Sequence, residues 1–279
     1  MNYRHIYHAG NFADVIKHIV LMQILEHLKK KDSPFFVLDT HSGIGLYKLN
    51  SEQAQKTKEA EKGIQSLINL NPKNELLVNY INLVKEFNQS GDINAYPGSP
   101  AITAKLIRQQ DRFIANELHP EDYKTLCDYS ASLYTSFKVL NIDAYQAMRA
   151  NIPPKEKRGL ILIDPPFEEK DEFATLTKQL QHALPKWGHG IFMIWFPLKA
   201  HLPISNFYND IKLLNIPKTL LIECFIEKPT TPEKLTGCGL IIMNTPWKID
   251  ENIINAKKDL ETAICPSHVP GINVKWIVE

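Results

Sequence analysis

The chain has 279 residues, of which 44% are hydrophobic and 23% charged, and its formal net charge is +1. This length accommodates one large α/β domain, or one domain with a sizeable insertion. The charge balance excludes a global basic field, so any attraction to phosphates would come from local patches such as residues 29–31, which are all lysine. Lysines in such a cluster are also typical of a helix end, where they complement the helix dipole.

Cysteine usage and hydropathy indicate the cellular compartment. Cys127, Cys224, Cys238 and Cys265 are far apart in sequence and form no C-x-x-C pair. We therefore expect reduced thiols, with neither a disulfide framework nor a zinc site. The N-terminus lacks an apolar segment of signal-peptide length, and no apolar run approaches the ~20 residues that span a bilayer. These features predict a cytoplasmic protein with no membrane partner.

The predicted elements alternate between strands and helices. Residues 1–31 contain a long helix over 12–30, whose apolar residues recur at helical spacing. Short β-branched or aromatic runs predict strands at 35–39, 112–118, 137–143, 160–164, 191–196, 219–226, 239–244 and 274–278. Amphipathic stretches predict further helices at 101–109, 120–132, 144–151, 172–184 and 251–264. This alternation predicts a mostly parallel sheet covered by helices on both faces.

Two segments modify this simple α/β pattern. Residues 219–244 form a predicted hairpin around 229–237, which places an antiparallel element near the C-terminus. Residues 51–89 are first highly polar and then amphipathic, and they predict a helical subdomain of about residues 50–95 inserted after the first strand. We expect the whole chain, 1–279, to form a single domain around one sheet.

The most informative stretch is Asp-Pro-Pro-Phe at residues 164–167, directly after the apolar run 159–163. The carboxylate of Asp164 and the carbonyl of Pro165 could accept both hydrogens of an exocyclic amino group, and the prolines fix the turn. Phe167 offers a ring face on which a planar base could stack. Because four residues are a short motif, an ordinary strand ending in a proline-rich turn is the alternative.

Polar residues also follow the preceding strands, and ligands of open α/β sheets bind at these carboxyl ends. Gly43 and Gly45 follow the first strand and allow close approach of the backbone, although the full dinucleotide-binding glycine pattern is absent. Glu117 ends the second strand, where a ribose diol could donate to it, and Asp143 ends the third, where it could meet an adenine amino group. One acidic strand end is commonly a helix N-cap, but this succession favours a binding site.

The order of glycine loop, ribose carboxylate, base-contacting aspartate and D-P-P-F resembles the S-adenosylmethionine-dependent methyltransferases that modify exocyclic amino nitrogens. This resemblance implies a Rossmann-like methyltransferase fold and S-adenosylmethionine as the cofactor. The D-P-P-[YF] form of the last motif further implies N6 of adenine, or a similar planar amine, as the methyl acceptor.

Longer matches narrow the resemblance to the bacterial RlmJ family, which methylates N6 of an adenine in large-subunit ribosomal RNA. The similar segments are Tyr-Arg-His at 3–5, His-Ala-Gly-Asn at 8–11, Ala-Asp-Val at 13–15, Lys-His at 17–18, Leu-Asp-Thr-His at 38–41, Tyr-Pro-Gly-Ser-Pro at 96–100, Glu-Leu-His-Pro at 117–120, Arg-Gly-Leu-Ile-Leu-Ile-Asp-Pro-Pro at 158–166 and Asn-Thr-Pro-Trp-Lys at 244–248. They are spread over the whole chain.

The resemblance implies a set of site residues. The cofactor contacts would be His18, His41, Ser99, Glu117, Asp143, Ala144 and Asp164. Asp164 would also be the catalytic proton acceptor, and Tyr3 would contact the RNA. We expect His5 and Lys17 to line the target-base pocket with Tyr3, while Phe167 stacks on the base. The alternative for this segment is an ordinary polar helix start capped by Asn11 or Asp14.

Partners and alternatives complete these expectations. The implied substrate is 23S ribosomal RNA before full ribosome assembly, bound by a monomer. We expect no metal, because the histidines at positions 5, 8 and 18 lack a matching set of carboxylates or cysteines.

Phe167 departs from the tyrosine usual in the family, and Ser42 and Ile44 stand where alanines are frequent. The competing functions are a DNA adenine methyltransferase, which shares the D-P-P-[YF] chemistry, and a non-catalytic RNA-binding protein.

Overall fold

A computed structural model describes residues 4–88, 92–169, 171–228, 234–266 and 269–279. Its strands are β1 (Phe36–Asp39), β2 (Leu46–Lys48), β3 (Ala95–Pro97), β4 (Arg112–Asn116), β5 (Lys138–Leu140), β6 (Gly159–Ile163), β7 (Ile191–Leu198), β8 (Thr219–Phe225), β9 (Gly237–Met243) and β10 (Ile272–Val278). Its α-helices are α1 (Phe12–Lys29), α2 (Glu52–Thr57), α3 (Ile64–Leu70), α4 (Glu75–Lys85), α5 (Ser99–Leu106), α6 (Pro120–Ser132), α7 (Ala144–Asn151), α8 (Glu172–Ala183), α9 (Ile204–Leu213) and α10 (Ile249–Ile264).

In the described part of the chain, eight strands form one sheet in the order β10-β8-β9-β7-β6-β1-β4-β5. The five strands from β7 to β5 are parallel, whereas β9 is antiparallel to both β7 and β8, and β10 is antiparallel to β8. The predicted α/β class and the antiparallel pairing of residues 219–244 are therefore confirmed. Residues 229–233 of the predicted turn lie outside the described residues.

The central strands are apolar throughout because helices cover both faces of the sheet. All five residues of β6 are buried, as in a strand without a solvent face. One core cluster includes buried residues of α1, α4 and α10, and the other includes those of α7, α8 and α9. α1 is buried along most of its length, and the Asn11 side chain caps it by accepting a hydrogen bond from the Asp14 amide.

Several predicted boundaries differ from the structure. β4 ends at Asn116 and β5 at Leu140, so Glu117 and Asp143 lie in the turns that follow these strands. The antiparallel pair β2–β3 was not predicted, because three residues are too few to show an alternating pattern. Helix α9 was also not predicted, since its sequence is rich in residues of weak helix propensity.

Helices α2, α3 and α4 lie between β2 and β3 in the chain, where the sequence predicted an insertion. Apolar residues of α3 and α4, among them Ile64 and Tyr80, join the same core cluster as α1 and α10. The Ser66 hydroxyl donates to the Ala263 carbonyl at the end of α10 (2.6 Å), and the Ile64 amide donates to the Gly10 carbonyl (2.9 Å). These helices are thus packed against the loop that leads into α1.

Gly63 makes this packing possible. A Cβ atom at residue 63 would lie 2.0 Å from the Gly10 carbonyl oxygen and 2.8 Å from the Asn11 Cα. We expect Gly63→Ala to destabilise the protein by about 1–3 kcal/mol, because the backbone must move to relieve the overlap. Thermal unfolding should show a midpoint several degrees lower. In the control Gly188→Ala, the new Cβ meets only the Leu184 carbonyl at 3.1 Å. Equal midpoints for the two variants would contradict this packing argument.

Candidate active site

A cavity of about 610 Å³ opens at the carboxyl ends of the parallel strands, between the sheet and the start of α1. Ten of the eleven predicted site residues line it, and Tyr3 lies outside the described residues. The ten are His5, Lys17, His18, His41, Ser99, Glu117, Asp143, Ala144, Asp164 and Phe167. Residues that are up to 162 positions apart in sequence therefore meet around one space, since His5 and Phe167 lie at its walls. The roles assigned to them remain predictions.

Glu117 connects the glycine loop to the end of β4. One carboxylate oxygen accepts a hydrogen bond from the Gly43 amide and the other accepts one from the His119 amide, both at 2.8 Å. Each oxygen keeps a lone pair for a ligand. Burial raises the pKa of Glu117, although these two backbone hydrogen bonds oppose the shift.

The two glycines of the loop are required by the protein's own packing. Gly43 and Gly45 have φ angles of 63° and 86°, which favour glycine. A Cβ at residue 43 would lie 2.0 Å from the Tyr47 hydroxyl, and one at residue 45 would lie 2.5 Å from the Tyr129 ring. The loop conformation therefore explains these glycines without a ligand.

Asp143 combines both of the interpretations that the sequence left open. Its Oδ1 accepts a hydrogen bond from the Gln146 amide at 2.8 Å and so caps α7, while its side chain also lines the cavity. Asn116, which the sequence did not single out, also lines the cavity and holds this edge of the sheet in place. Its amide group donates to the carbonyls of Thr40 and Ile142, both at 3.0 Å, and so connects the ends of three strands.

Lys17 connects α1 to the tip of β6. Its ammonium lies 2.6 Å from Asp164 Oδ2 and 2.9 Å from Asp14 Oδ1, and the lysine is only 5% exposed. Asp14 Oδ2 accepts a hydrogen bond from the Gly10 amide at 2.9 Å. The same oxygen lies 2.9 Å from His5 Nε2. The sequence suggested Asp14 only as a helix cap, but the structure places it at the centre of this network.

The charges in this network stabilise one another. Burial opposes the charge of Lys17, but the Asp14 and Asp164 carboxylates raise its pKa well above the ordinary value. Burial likewise opposes the charge of Asp14, while His5 and Lys17 hold its pKa well below the ordinary value. Both pKa shifts favour a lysine ammonium between two carboxylates, with one oxygen of Asp164 held in place.

Two histidines, the buried His18 and the half-buried His41, line the cavity in neutral form. Burial lowers the pKa of His18 to about 3 and that of His41 to about 4. His18 Nδ1 lies 2.7 Å from the Tyr96 hydroxyl, and His41 Nδ1 lies 2.8 Å from the Thr40 hydroxyl. Lys17 and His18 thus have different partners, as adjacent positions on a helix predict.

The end of β1 carries a buried carboxylate, Asp39. The Ser99 hydroxyl donates to Asp39 Oδ2 at 2.6 Å, which brings the predicted cofactor residue Ser99 against the strand. Burial raises the pKa of Asp39 to about 7, and the nearby Asp164 charge adds to this shift. The signal for Asp39 was present in the Leu-Asp-Thr-His segment, but the sequence did not indicate its burial.

Aromatic side chains also line the cavity. Phe167 has a left-handed backbone conformation, with φ 50°, which is unusual for a bulky residue. Its ring lies 4.7 Å from that of Phe173 and 6.2 Å from that of Trp195, measured between centroids. Trp195 lines the cavity and was not predicted, because it lies inside the apolar run of β7.

The N-terminal histidines have separate partners. His5 pairs with Asp14, His8 Nδ1 lies 2.9 Å from Glu59, and His18 contacts Tyr96. Across the described ranges, no three His, Cys, Asp or Glu side chains are arranged to hold a metal ion. Within the same ranges, no helix has the length and apolarity needed to cross a bilayer.

Comparison with known proteins agrees with this geometry. The sequence profile of a family described as "Ribosomal RNA large subunit methyltransferase D, RlmJ" matches residues 32–278. The chain belongs to this RlmJ family. It is 38% identical over 279 residues to the "Ribosomal RNA large subunit methyltransferase J" of Escherichia coli K12, covering 100% of this chain and 99% of that protein.

Further relatives extend the similarity. The protein of the same name from Haemophilus influenzae Rd is 37% identical, with 99% of both chains covered. The crystal structure of a protein from Legionella pneumophila Philadelphia 1 matches with a TM-score of 0.86 and 34% identity, over 96% of this chain and 97% of that one. The predicted RlmJ resemblance and the α/β methyltransferase fold are confirmed, and the chain is a member of a family of ribosomal RNA methyltransferases.

The raised pKa of Asp39 predicts a pH-dependent stability. The pKa of Asp39 in the folded protein, about 7, exceeds the ordinary 3.8, so protonated Asp39 favours the folded state. This contribution to the free energy of unfolding is complete below pH 3.8 and is lost as the pH rises through about 7. Asparagine does not titrate. We therefore expect Asp39→Asn to gain stability relative to the wild type as the pH is raised from about 5 to about 8, by at most about 1.4 kcal/mol per pH unit.

Urea unfolding of both proteins across this pH range measures the difference, and groups common to both cancel. The control is Asp92→Asn, since Asp92 is exposed. A pH-independent difference between Asp39→Asn and the wild type would contradict the shift.

Proposed function

We propose that this protein transfers a methyl group from S-adenosylmethionine to N6 of a specific adenine in 23S ribosomal RNA. The observation that carries the proposal is the position of Asp164, whose carboxylate is held by Lys17 at 2.6 Å beside Pro165 and Phe167, in the cavity that Glu117 and Asp143 also line. Family membership supports methyl transfer to ribosomal RNA. The choice of an adenine amino group is inferred from the chemistry of this tip.

The residues present fit the proposed cofactor. The cavity of about 610 Å³ is within the usual range for small-molecule sites. Glu117 would accept hydrogen bonds from the ribose hydroxyls, because its oxygens each have only one backbone donor. Asp143 and Ala144 at the start of α7 would contact the adenine of the cofactor, and His18, His41 and Ser99 would contact its amino-acid end. When bound, S-adenosylmethionine supplies an electrophilic methyl group on a sulfonium.

The target base would bind at the other end of the cavity. Phe167 offers a ring face for stacking, an interaction worth roughly 1–3 kcal/mol per base. Asp164 and the Pro165 carbonyl would accept the two hydrogens of the amino group and so direct its lone pair away from the ring. Lys17 occupies Asp164 Oδ2, so Oδ1 is the oxygen that we assign to the base. His5 and Tyr3 would complete the pocket.

Asp164 would then accept the proton. The amino nitrogen becomes cationic and acidic once it is methylated, so a strong base is not required. Lys17 keeps one Asp164 oxygen in place throughout, and its second contact with Asp14 keeps the ammonium itself from moving. We propose that Asp164 is the catalytic residue and that Lys17 positions it.

The substrate must present an unstacked adenine. Removing a base from its stack costs a few kcal/mol, and this cost is smallest in loops and unpaired positions. We therefore propose that the protein acts as a cytoplasmic monomer on ribosomal RNA before full assembly, and that an RNA fragment suffices. Methylation of DNA is the alternative from the same chemistry.

Methyl-transfer assays distinguish these substrates. Purified protein with radiolabelled S-adenosylmethionine should label 23S ribosomal RNA from cells that lack the gene, and label the same RNA from wild-type cells much less, because the site is already modified there. Duplex DNA should remain unlabelled. Labelling of DNA but of neither RNA would overturn the assignment to RNA, and digestion of the labelled RNA to nucleosides should yield N6-methyladenosine.

Asp164 provides the sharpest variant. We expect Asp164→Asn to lower kcat at least 100-fold, far more than it lowers the affinity for S-adenosylhomocysteine measured by calorimetry, because the amide cannot accept the proton. Lys17→Ala should also lower kcat, since Asp164 loses its fixed partner. Glu169→Gln removes an exposed carboxylate at the same cavity and serves as the control. Wild-type turnover of Asp164→Asn would refute the proposed proton acceptor.

A further inference from the structure

A chain of buried hydrogen bonds leads away from the cavity behind His18. His18 Nδ1 lies 2.7 Å from the Tyr96 hydroxyl, and this hydroxyl lies 2.9 Å from that of Tyr80. The three side chains are at most 1% exposed. Tyr80 belongs to α4 and Tyr96 to β3, and only His18 lines the cavity. The imidazole and the Tyr96 ring also stack, with centroids 5.6 Å apart.

The direction of each of these hydrogen bonds can be assigned by elimination. In the described part of the structure, Tyr80 makes its one side-chain hydrogen bond with Tyr96. A buried hydroxyl without an acceptor costs about 1–3 kcal/mol, so Tyr80 donates to Tyr96. The hydrogen of Tyr96 must then go to His18 Nδ1, because the reverse direction leaves the Tyr80 hydrogen without an acceptor. His18 consequently carries its own hydrogen on Nε2.

The other ring nitrogen supports this direction. His18 Nε2 is buried and has no hydrogen-bond partner among the described residues, and the nearest carboxylate oxygen, Asp14 Oδ1, is 3.8 Å away. Because His18 lines the cavity, an acceptor on a ligand is one way to satisfy this orphaned buried donor. Since burial lowers the pKa of His18 to about 3, this donor is a neutral N–H.

We infer that Tyr96, supported by Tyr80, is a positioning residue that fixes His18 as the Nε2–H tautomer, so that His18 donates a hydrogen bond to the carboxylate of the cofactor. The inference rests on the proposed use of S-adenosylmethionine. The ring of Tyr96 has no contact with the ligand in this arrangement.

A double-mutant cycle tests the inference, with S-adenosylhomocysteine as the probe in isothermal titration calorimetry. Tyr96→Phe should weaken binding about tenfold, the equivalent of one lost hydrogen bond. The glutamine of His18→Gln has a side-chain NH2 group that can donate a hydrogen bond to the ligand with or without the Tyr96 hydroxyl. In this background, Tyr96→Phe should have no further effect on affinity. Tyr80→Phe should weaken binding less than twofold, since Tyr96 can then donate only to His18.

A merely structural role for Tyr96 predicts equal losses of affinity in both backgrounds, and that result would overturn the inference, as would unchanged binding by Tyr96→Phe. Wild-type protein that does not bind the probe would refute the proposed function itself. Nitrogen-15 NMR of histidine-labelled wild type gives an independent readout, with the His18 signals assigned by their loss in His18→Gln. The hydrogen should be on Nε2, and a hydrogen on Nδ1 would overturn the inference even if Tyr96→Phe failed to fold.

Discussion

The site depends on one buried cation, the ammonium of Lys17 between the carboxylates of Asp14 and Asp164. It connects the first helix with the tip of the central strand, and each of the three groups would be unfavourable to bury alone. Removing one partner of such a buried set typically costs about 3–5 kcal/mol, because an uncompensated charge stays behind. The same interaction that holds α1 on the sheet therefore also sets the orientation of the proposed catalytic carboxylate.

The remaining polar groups at this edge are held by backbone and hydroxyl partners. Glu117 binds the glycine loop, Asp143 caps α7 and Asp39 accepts a hydrogen bond from Ser99. Every one of these carboxylates serves a structural contact and still lines or adjoins the cavity. A site built this way is organised before a ligand arrives, which reduces the reorganisation required at the moment of reaction.

The helices between β2 and β3 contribute both apolar packing and a polar contact. Their apolar residues belong to the core around α1, and Tyr80 extends a hydrogen-bond chain toward the cavity wall. The described hydrogen bonds of these helices include one to the Gly10 carbonyl and one to the end of α10. These helices therefore support the face of α1 that carries His18.

The sequence by itself determined the fold class, the edge of the sheet at which the candidate site lies and ten of the side chains that line its cavity. The spacing of apolar residues and the residue types at strand ends are local properties of the sequence. The apolar run before Asp164 and the acidic residues after β4 and β5 could therefore be identified without a structure. Resemblance to the RlmJ family added His18, His41 and Ser99. What only the tertiary structure decided was burial and pairing. Asn116, Tyr96 and Trp195 gain their roles from groups far away in the chain, and Asp14 gains its role through Lys17, whose ammonium also binds Asp164. A long-range hydrogen bond or a buried charge leaves no periodic signal in the sequence.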